Sequence, residues 1–393
     1  MRQSPPHAAL FAIQFAAGLA LAIAAVIAFS QPGHAAVFGS DTRTRLTSAD
    51  TALRAQIGTL ASSQSGAFCT AFCVADDLIA TASHCLFGTT ASPGPRLKDL
   101  TFKPGSARGA EPGTPLAGRA TANQSQSVTS GTRQLAVLPP IGAVDDWAVA
   151  RLDQPVCRGA HLALTNLAGG AIREHAARGH VYQIAVHADL ADTDLRRAAP
   201  CAIEKTFAKA DATTIARDFT AADAILFHTC DTGGGSSGSP LLIDTANGPE
   251  VVGINVGTYV LSRNVSTAHD TSAQPAAEAI ANTAIDIAAL QRAVTDLSQR
   301  NLLTLPTEVR ALKSRLHSKG LFHGPETGIV TGDLRAAIAR FEEVSGRPVT
   351  GLVRRALLAE IDAWYVEATP SLAPLPPAGT PGVEGFQALR ARF

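Results

Sequence analysis

The sequence predicts an all-β barrel or sandwich followed by a small all-α unit. Two textures predict it. From residue 37 to about residue 257, short apolar segments alternate with loops rich in Gly, Pro, Ser and Thr, the spacing of many short strands. Beyond Leu305-Pro306 the apolar residues recur at a helical period instead.

The strands are expected at 78–82, 147–152, 181–186, 224–227, 241–243 and 251–256. The loop-like stretch 88–133 holds one or two more, around 100–102 and 116–120. Ile280, Ala284, Ile285, Leu290 and Leu297 predict a helix within 275–299 that packs on the barrel. Val309, Leu312 and Leu316, then Leu334, Ile338 and Phe341, then Val353, Leu357 and Ile361 predict three further helices separated by glycine-containing turns. Residues 370–381 are Pro-rich and read as an extended tail.

The N-terminus carries Arg2, an apolar run over 8–29 broken only by Gln14, and small residues Gly33 and Ala35 at the positions that precede a cut after Ala35. This pattern predicts a signal peptide over 1–35. The run has 22 residues, close to the ~20 that span a bilayer, so an uncleaved membrane anchor is the alternative. Its alanine-rich composition and the cleavage site favour removal. In both cases the remainder is exported, so six cysteines read as three disulfides rather than as ligands. Cys69 and Cys73 have the spacing of half a zinc site, but no second close Cys/His pair completes one, and no metal is expected. Lys plus Arg equals Asp plus Glu, 33 each, which argues against nucleic acid as a partner.

The stretch "HTCDTGGGSSGSPLL" supplies what acyl transfer needs: a nucleophile flanked by glycines, so that backbone N–H groups face a developing oxyanion. Ser237 is the candidate, because Gly235 lies two before it and Gly238 directly after. The N–H groups of Gly235 and Ser237 are the expected oxyanion hole. A hydroxyl nucleophile needs a base, and "LIATASHC" leads an apolar strand into His84. The base needs a carboxylate, and "DDWAVARL" opens another apolar strand with Asp146, backed by Ala148 and Ala150 on the same face.

"TASHC", "DWAVARL" and "GSSGSP", in that order, resemble the chymotrypsin-like serine peptidases, and His84, Asp146 and Ser237 stand 62 and 91 residues apart as that double β-barrel requires. The ending "SGSP" and the early "VFGSDTRTR" are similar to the bacterial branch containing the V8-like glutamyl endopeptidases. The resemblance implies a double β-barrel over residues 36–300, a Ser-His-Asp triad, no cofactor, a protein or peptide substrate, and secreted or periplasmic location in a bacterium. It also implies the disulfide Cys69–Cys85, then Cys201–Cys230, which leaves Cys73–Cys157. Ser236 stands where trypsin-like zymogens carry an aspartate, and little chain separates the signal from "VFGSDTR", so no zymogen cleavage is expected.

The substrate-pocket candidates are Asp231, Asn255 and Gly257. Asn255 stands where the glutamyl endopeptidases have a glutamate-binding histidine, so that preference does not carry over. Asp231 lies at the offset of the trypsin-like pocket-floor aspartate, which selects Arg or Lys. Its other reading is a carboxylate that hydrogen-bonds its own loop. His161, His175, His180, His187 and His228 lack partner spacings and are expected in structural or surface roles.

"EVRALKSRLHSKGLF", "DLRAAIARFEEVSGRPVTG" and "ALLAEI" resemble the peptidoglycan-binding three-helix domain, expected over 301–366 with the tail at 367–393. Glu342 stands where that family usually has glutamine, and "TGDL" replaces its Gly-x-x-Thr. The unit is read either as a peptidoglycan binder or as a helical appendage packed on the barrel. The function expected is an exported serine endopeptidase acting through an acyl-enzyme. The alternative, from another class, is a catalytically silent cell-wall-binding protein on a protease-like scaffold.

Overall fold

The computed structural model describes residues 36–105, 113–122, 124–192, 194–265 and 274–368. The N-terminal apolar run and the Pro-rich end lie outside them. Among the described residues, no helix is long and apolar enough to cross a membrane.

The strands are β1 Thr44–Arg45, β2 Ile57–Ser62, β3 Phe68–Ala75, β4 Leu78–Thr81, β5 Leu100–Pro104, β6 Thr114–Pro115, β7 Val128–Ser130, β8 Ala148–Arg151, β9 Ala163–Leu164, β10 Val181–Ala185, β11 Arg196–Ala198, β12 Ile203–Glu204, β13 Ile225–His228, β14 Pro240–Thr245, β15 Gly248–Val265 and β16 Gln274–Asp286. They form two curled, almost wholly antiparallel sheets. The first runs β6-β5-β2-β3-β4-β8-β7; the second runs β1-β11-β10-β14-β15-β16-β13-β12, with β9 added in parallel to β15. Together they make the double half-barrel that the resemblance implies.

Strands such as β4, β8 and β10 are buried along their whole length, which is why their sequences do not alternate apolar with polar residues. One apolar cluster, with Ile57, Phe72, Ile79, Val149, Ile184 and Ile254 fully buried, runs through both sheets and takes in Leu290 and Leu297 of the helix Ala288–Arg300. Three disulfides cross-link the sheets and their loops: Cys69–Cys85, Cys73–Cys157 and Cys201–Cys230.

Two sequence expectations need correction. Residues 275–299 are not one helix: Gln274–Asp286 is β16, and the helix begins only at Ala288. The segment lies between β13 and β15 and is paired on both edges, residues 280–285 are buried in succession so that neither face is exposed there, and its alanines match either period. Tertiary pairing decided the matter. Residues 116–120 form a turn with a single bridge at Leu116, the adjoining strand being only β6.

The C-terminal helices are Pro306–Ser318, Gly332–Val344 and Leu357–Ala368. Pro306 opens the first, where its missing N–H costs nothing, and the Thr331 hydroxyl caps the second by accepting from Leu334 N–H at 3.3 Å. They bury a core of their own, including Val309, Leu312, Leu334, Ile338, Phe341 and Leu357. Val353 belongs to that core from the turn before the third helix, with its carbonyl accepting from Leu303 N–H. Glu342 is fully buried, and its carboxylate accepts from Thr350 N–H, the Thr350 hydroxyl, Gly351 N–H and Arg354. Those four bonds hold the "RPVTG" turn and account for a charged residue in place of glutamine.

Candidate active site

β4 ends at Thr81, and the chain turns through Ser83 into the four-residue helix His84–Phe87, which sets His84 at the mouth of the cleft between the sheets. The Cys69–Cys85 bridge ties that turn to β3. Asp146 leaves a 3-10 turn just ahead of β8 and is fully buried. Its carboxylate grips His84 twice: Oδ1 accepts the His84 backbone N–H at 2.8 Å, and Oδ2 lies 2.7 Å from Nδ1. This double hold places the proton on Nδ1 and leaves Nε2 free to accept.

Burial pushes the His84 pKa down, but the Asp146 charge and hydrogen bond together outweigh it, and the net shift is upward from 6.5. A base must be neutral to take a proton. The acid limb of kcat/KM is therefore expected to have its midpoint above 6.5, as read from a pH series of peptide hydrolysis; a midpoint well below that value would contradict the pairing.

Ser237 and His84 line one cavity of about 320 Å3, together with Phe68, Cys69 and Cys85. Ser237 Oγ makes no hydrogen bond among the described residues. The loop around Ser237 is fixed by its backbone: Thr70 N–H donates to Ser237 O at 2.9 Å, the Thr70 hydroxyl to Gly235 O at 2.9 Å, and Gly238 N–H to Asn255 O at 2.7 Å. Gly235 (φ +90°) and Gly238 (φ +82°) both require glycine, since a Cβ would lie 2.3 Å from the Phe68 ring and 2.1 Å from Thr81 Oγ1 respectively. The result is that no internal acceptor takes the N–H of Gly235 or of Ser237 among the described residues. Two unspent donors, one on either side of Ser236, are what an oxyanion hole would require.

A second cavity, about 270 Å3, adjoins His84 and is lined by Leu135, Val137, Ile141, Phe219, Val256 and Tyr259. Gly257 lines it as well. The β15 bulge between Asn255 and Gly257 shapes this wall.

Asp231 and Asn255 do not line either cavity beside His84, contrary to the pocket expectation. Asp231 is buried, and its carboxylate is taken up by Phe38 N–H at 2.8 Å and by Thr42 N–H and hydroxyl at 2.7 Å each. The carboxylate is structural, but it holds residues 38–42 rather than its own loop. Asn255 is likewise committed: Oδ1 lies 3.1 Å from His228 Nε2, and Nδ2 donates to Ser236 O at 3.1 Å. Sequence reasoning missed Thr70, Arg43 and Asp189, whose partners lie more than a hundred residues away in the chain.

His187 and His228 are buried, and burial pushes each down to about 4; the Arg43 charge adds to the effect at His187, and the Asn255 hydrogen bond partly opposes it at His228. Both are depressed below the unfolded value of about 6.5. The stability they confer is therefore present above pH 6.5 and lost as pH falls toward 4, by up to ~3 kcal/mol each. His84 works in the opposite sense, its raised pKa adding stability below pH 6.5, so the net loss is smaller. A lower urea midpoint at pH 4.5 than at pH 7 is the expected outcome; equal midpoints would show that neither imidazole is held neutral.

Among the described residues, Cys69, His84 and Cys85 are the one close trio of metal-ligating types. The two sulfurs are bonded to each other and offer no thiolate.

Two curled sheets, with a carboxylate-held histidine and a serine lining one cavity, are the frame of a hydrolase of the serine-nucleophile class. Residues 69–254 match the trypsin-like peptidase domain family, and residues 306–361 match the family described as "Putative peptidoglycan binding domain". The chain carries a trypsin-like peptidase domain and is a serine endopeptidase. Similar solved structures include "Structure of Glu endopeptidase in complex with MPD" (TM-score 0.41, 16% identity, 66% of this chain and 98% of that chain). A second is "Crystal structure of a thermostable serine protease AL20 from extremophilic microoganism" (TM-score 0.40, 16% identity, 64% of this chain and 100% of that chain). No curated protein matches the chain.

Proposed function

We propose that the chain is an exported endopeptidase whose catalytic triad is Ser237, His84 and Asp146, held near the cell wall by residues 301–366. The observation that carries the triad is the double grip of Asp146 on His84 at the rim of the cavity that Ser237 also lines. In this reading Nε2 of His84 takes the Ser237 proton as Oγ attacks the peptide carbonyl. The Gly235 and Ser237 amides receive the resulting oxyanion. His84 then gives its proton to the leaving amine, and water, deprotonated by the same nitrogen, hydrolyses the acyl-enzyme. Asp146 stays ionised throughout and stabilises the imidazolium. The apolar cavity beside His84 offers a seat for a substrate side chain flanking the scissile bond.

Export is supported by the three disulfides, which persist in oxidising compartments, and by the signal-like pattern before Ala36. Wall association is supported by the family match of the helical unit and by its separate core. A cavity lined by Leu321, Phe322, His323, Asp333 and Arg340 is the surface proposed to meet the wall.

Hydrolysis of fluorescein-labelled casein by the chain from residue 36, blocked by a sulfonyl fluoride, tests the enzyme reading; folded protein that cuts no protein substrate would overturn it. Co-sedimentation with purified sacculi tests the second reading. Retention by the full chain and loss on truncation at Asn301 is the expected result, and equal recovery in the supernatant would leave the helical unit as an appendage.

A further inference from the structure

Residues 36–42 run along the loop that carries Ser237 and are bonded to it at Ala36, Phe38 and Thr42. Ala36 and Thr232 exchange backbone hydrogen bonds at 3.1 and 3.0 Å, and Asp231 binds Phe38 and Thr42 as described. Arg43 follows, its side chain only 3% exposed. Its guanidinium is shared between two carboxylates: Nε and Nη2 donate to Asp41 at 2.9 and 2.8 Å, and Nη1 and Nη2 donate to Asp189 at 3.1 and 2.8 Å. Asp189 in turn lies flat against Gly233, where a Cβ would come within 1.8 Å of its Oδ1 and 3.0 Å of Arg43 Nη1. Its neighbour Ala188 donates its N–H to Gly234 O at 2.6 Å.

The turn Gly233–Gly235 has three glycines and no side chains with which to fix its own conformation, yet it must hold the Gly235 N–H aimed at an oxyanion. We infer that Arg43 is a positioning residue for the oxyanion hole, acting through Asp189 to pin the Gly233–Gly234 backbone. The inference rests on the reading of Ser237 as nucleophile. Arg43 touches neither substrate nor Ser237; it sets the face against which the glycine turn rests. A planar, two-pronged cation suits this task, since one group must satisfy two carboxylates in fixed directions. The neighbouring His187 is buried, with neither ring nitrogen hydrogen-bonded among the described residues, so it cannot take over the anchoring of Asp189.

The test uses the chain from residue 36 and a fluorophosphonate probe, whose phosphorus is attacked by the serine oxygen with loss of fluoride while the phosphoryl oxygen takes up the charge that the same amides would hold. In Arg43→Gln, kinact is expected to fall by about tenfold to a hundredfold, part of the loss that follows removal of one hole donor, with KI within about twofold and full labelling amplitude reached in time. Arg43→Lys, which keeps the charge and lacks the fork, is expected to recover part of kinact. If Arg43→Gln does not accumulate as folded protein, Asp189→Asn carries the same test with the same criteria. An unchanged kinact with only a lower unfolding temperature would overturn the inference and leave Arg43 a stability contact. A wild-type chain that takes no label at all would instead overturn the nucleophile reading, and so the two failures are distinguishable.

Discussion

Replacing Ser237 by alanine is expected to lower kcat by about 10⁶ while leaving the fold intact. The size follows from the chemistry: without the hydroxyl there is no acyl-enzyme, and only transition-state binding by the amides remains. The intact fold follows from the structure, because Ser237 Oγ forms no hydrogen bond among the described residues that alanine would lose, and the Ser237 carbonyl keeps its bond from Thr70 N–H. Ser236 is the proper comparison. Its carbonyl and hydroxyl accept from Asn255 Nδ2 at 3.1 and 3.4 Å, and alanine retains the shorter of the two. Ser236→Ala is therefore expected to stay within about tenfold of the parent. Steady-state hydrolysis of labelled casein by both variants, alongside their unfolding curves, checks the pair. Equal losses in the two would mean that the loop, not the Ser237 hydroxyl, is what activity depends on.

The second large effect belongs to Asp146→Asn, with kcat expected to fall by about 10⁴. Asp146 Oδ1 accepts the His84 backbone N–H, so the amide oxygen of an asparagine must occupy that place. Its NH2 group is then left facing Nδ1, 2.7 Å away in the parent. Two donors cannot face each other. The imidazole must move its proton to Nε2, the nitrogen that has to accept from Ser237, and the base is lost with hardly any atom displaced. The acid limb of the pH profile should also lose its upward displacement, since the Asp146 charge is what raises the His84 pKa against burial. A variant within tenfold of the parent at pH 8 would contradict this account.

The proposed triad is legible in the sequence because each member sits in a short, local pattern. A strand runs into His84, another leaves Asp146, and glycines bracket Ser237. Those patterns encode backbone geometry within a few residues, and the barrel that their order implies brings Asp146 onto His84 and puts His84 and Ser237 on one cavity. The role of Asp231 could not be read in the same way. Its partners Phe38 and Thr42 lie 193 and 189 residues away, and a carboxylate flanked by cysteine and threonine looks alike whether it faces a pocket or a strap. Arg43 and Asp189, 146 residues apart, gave no signal for the same reason. β16 failed for a different one. Its alanines fit a helix as well as a buried strand, and only the partners on either side decide between them.

Glu342 shows how an apparent departure from a family pattern becomes intelligible once its surroundings are known. Burial alone would neutralise a carboxyl, yet the bonds from Thr350, Gly351 and Arg354 outweigh that penalty and hold its pKa below the ordinary value. The charge is part of the turn that closes the helical unit, whether or not that unit meets the wall.

The central claim is that Ser237 is the residue activated by His84. Its most direct test is mass-spectrometric mapping of the adduct formed when the folded chain reacts with a fluorophosphonate. The expected result is one equivalent of label on Ser237, with none on Ser236 and none in the Asp146→Asn variant on the same timescale. Label on any other residue, or no adduct in protein that is demonstrably folded, would contradict it.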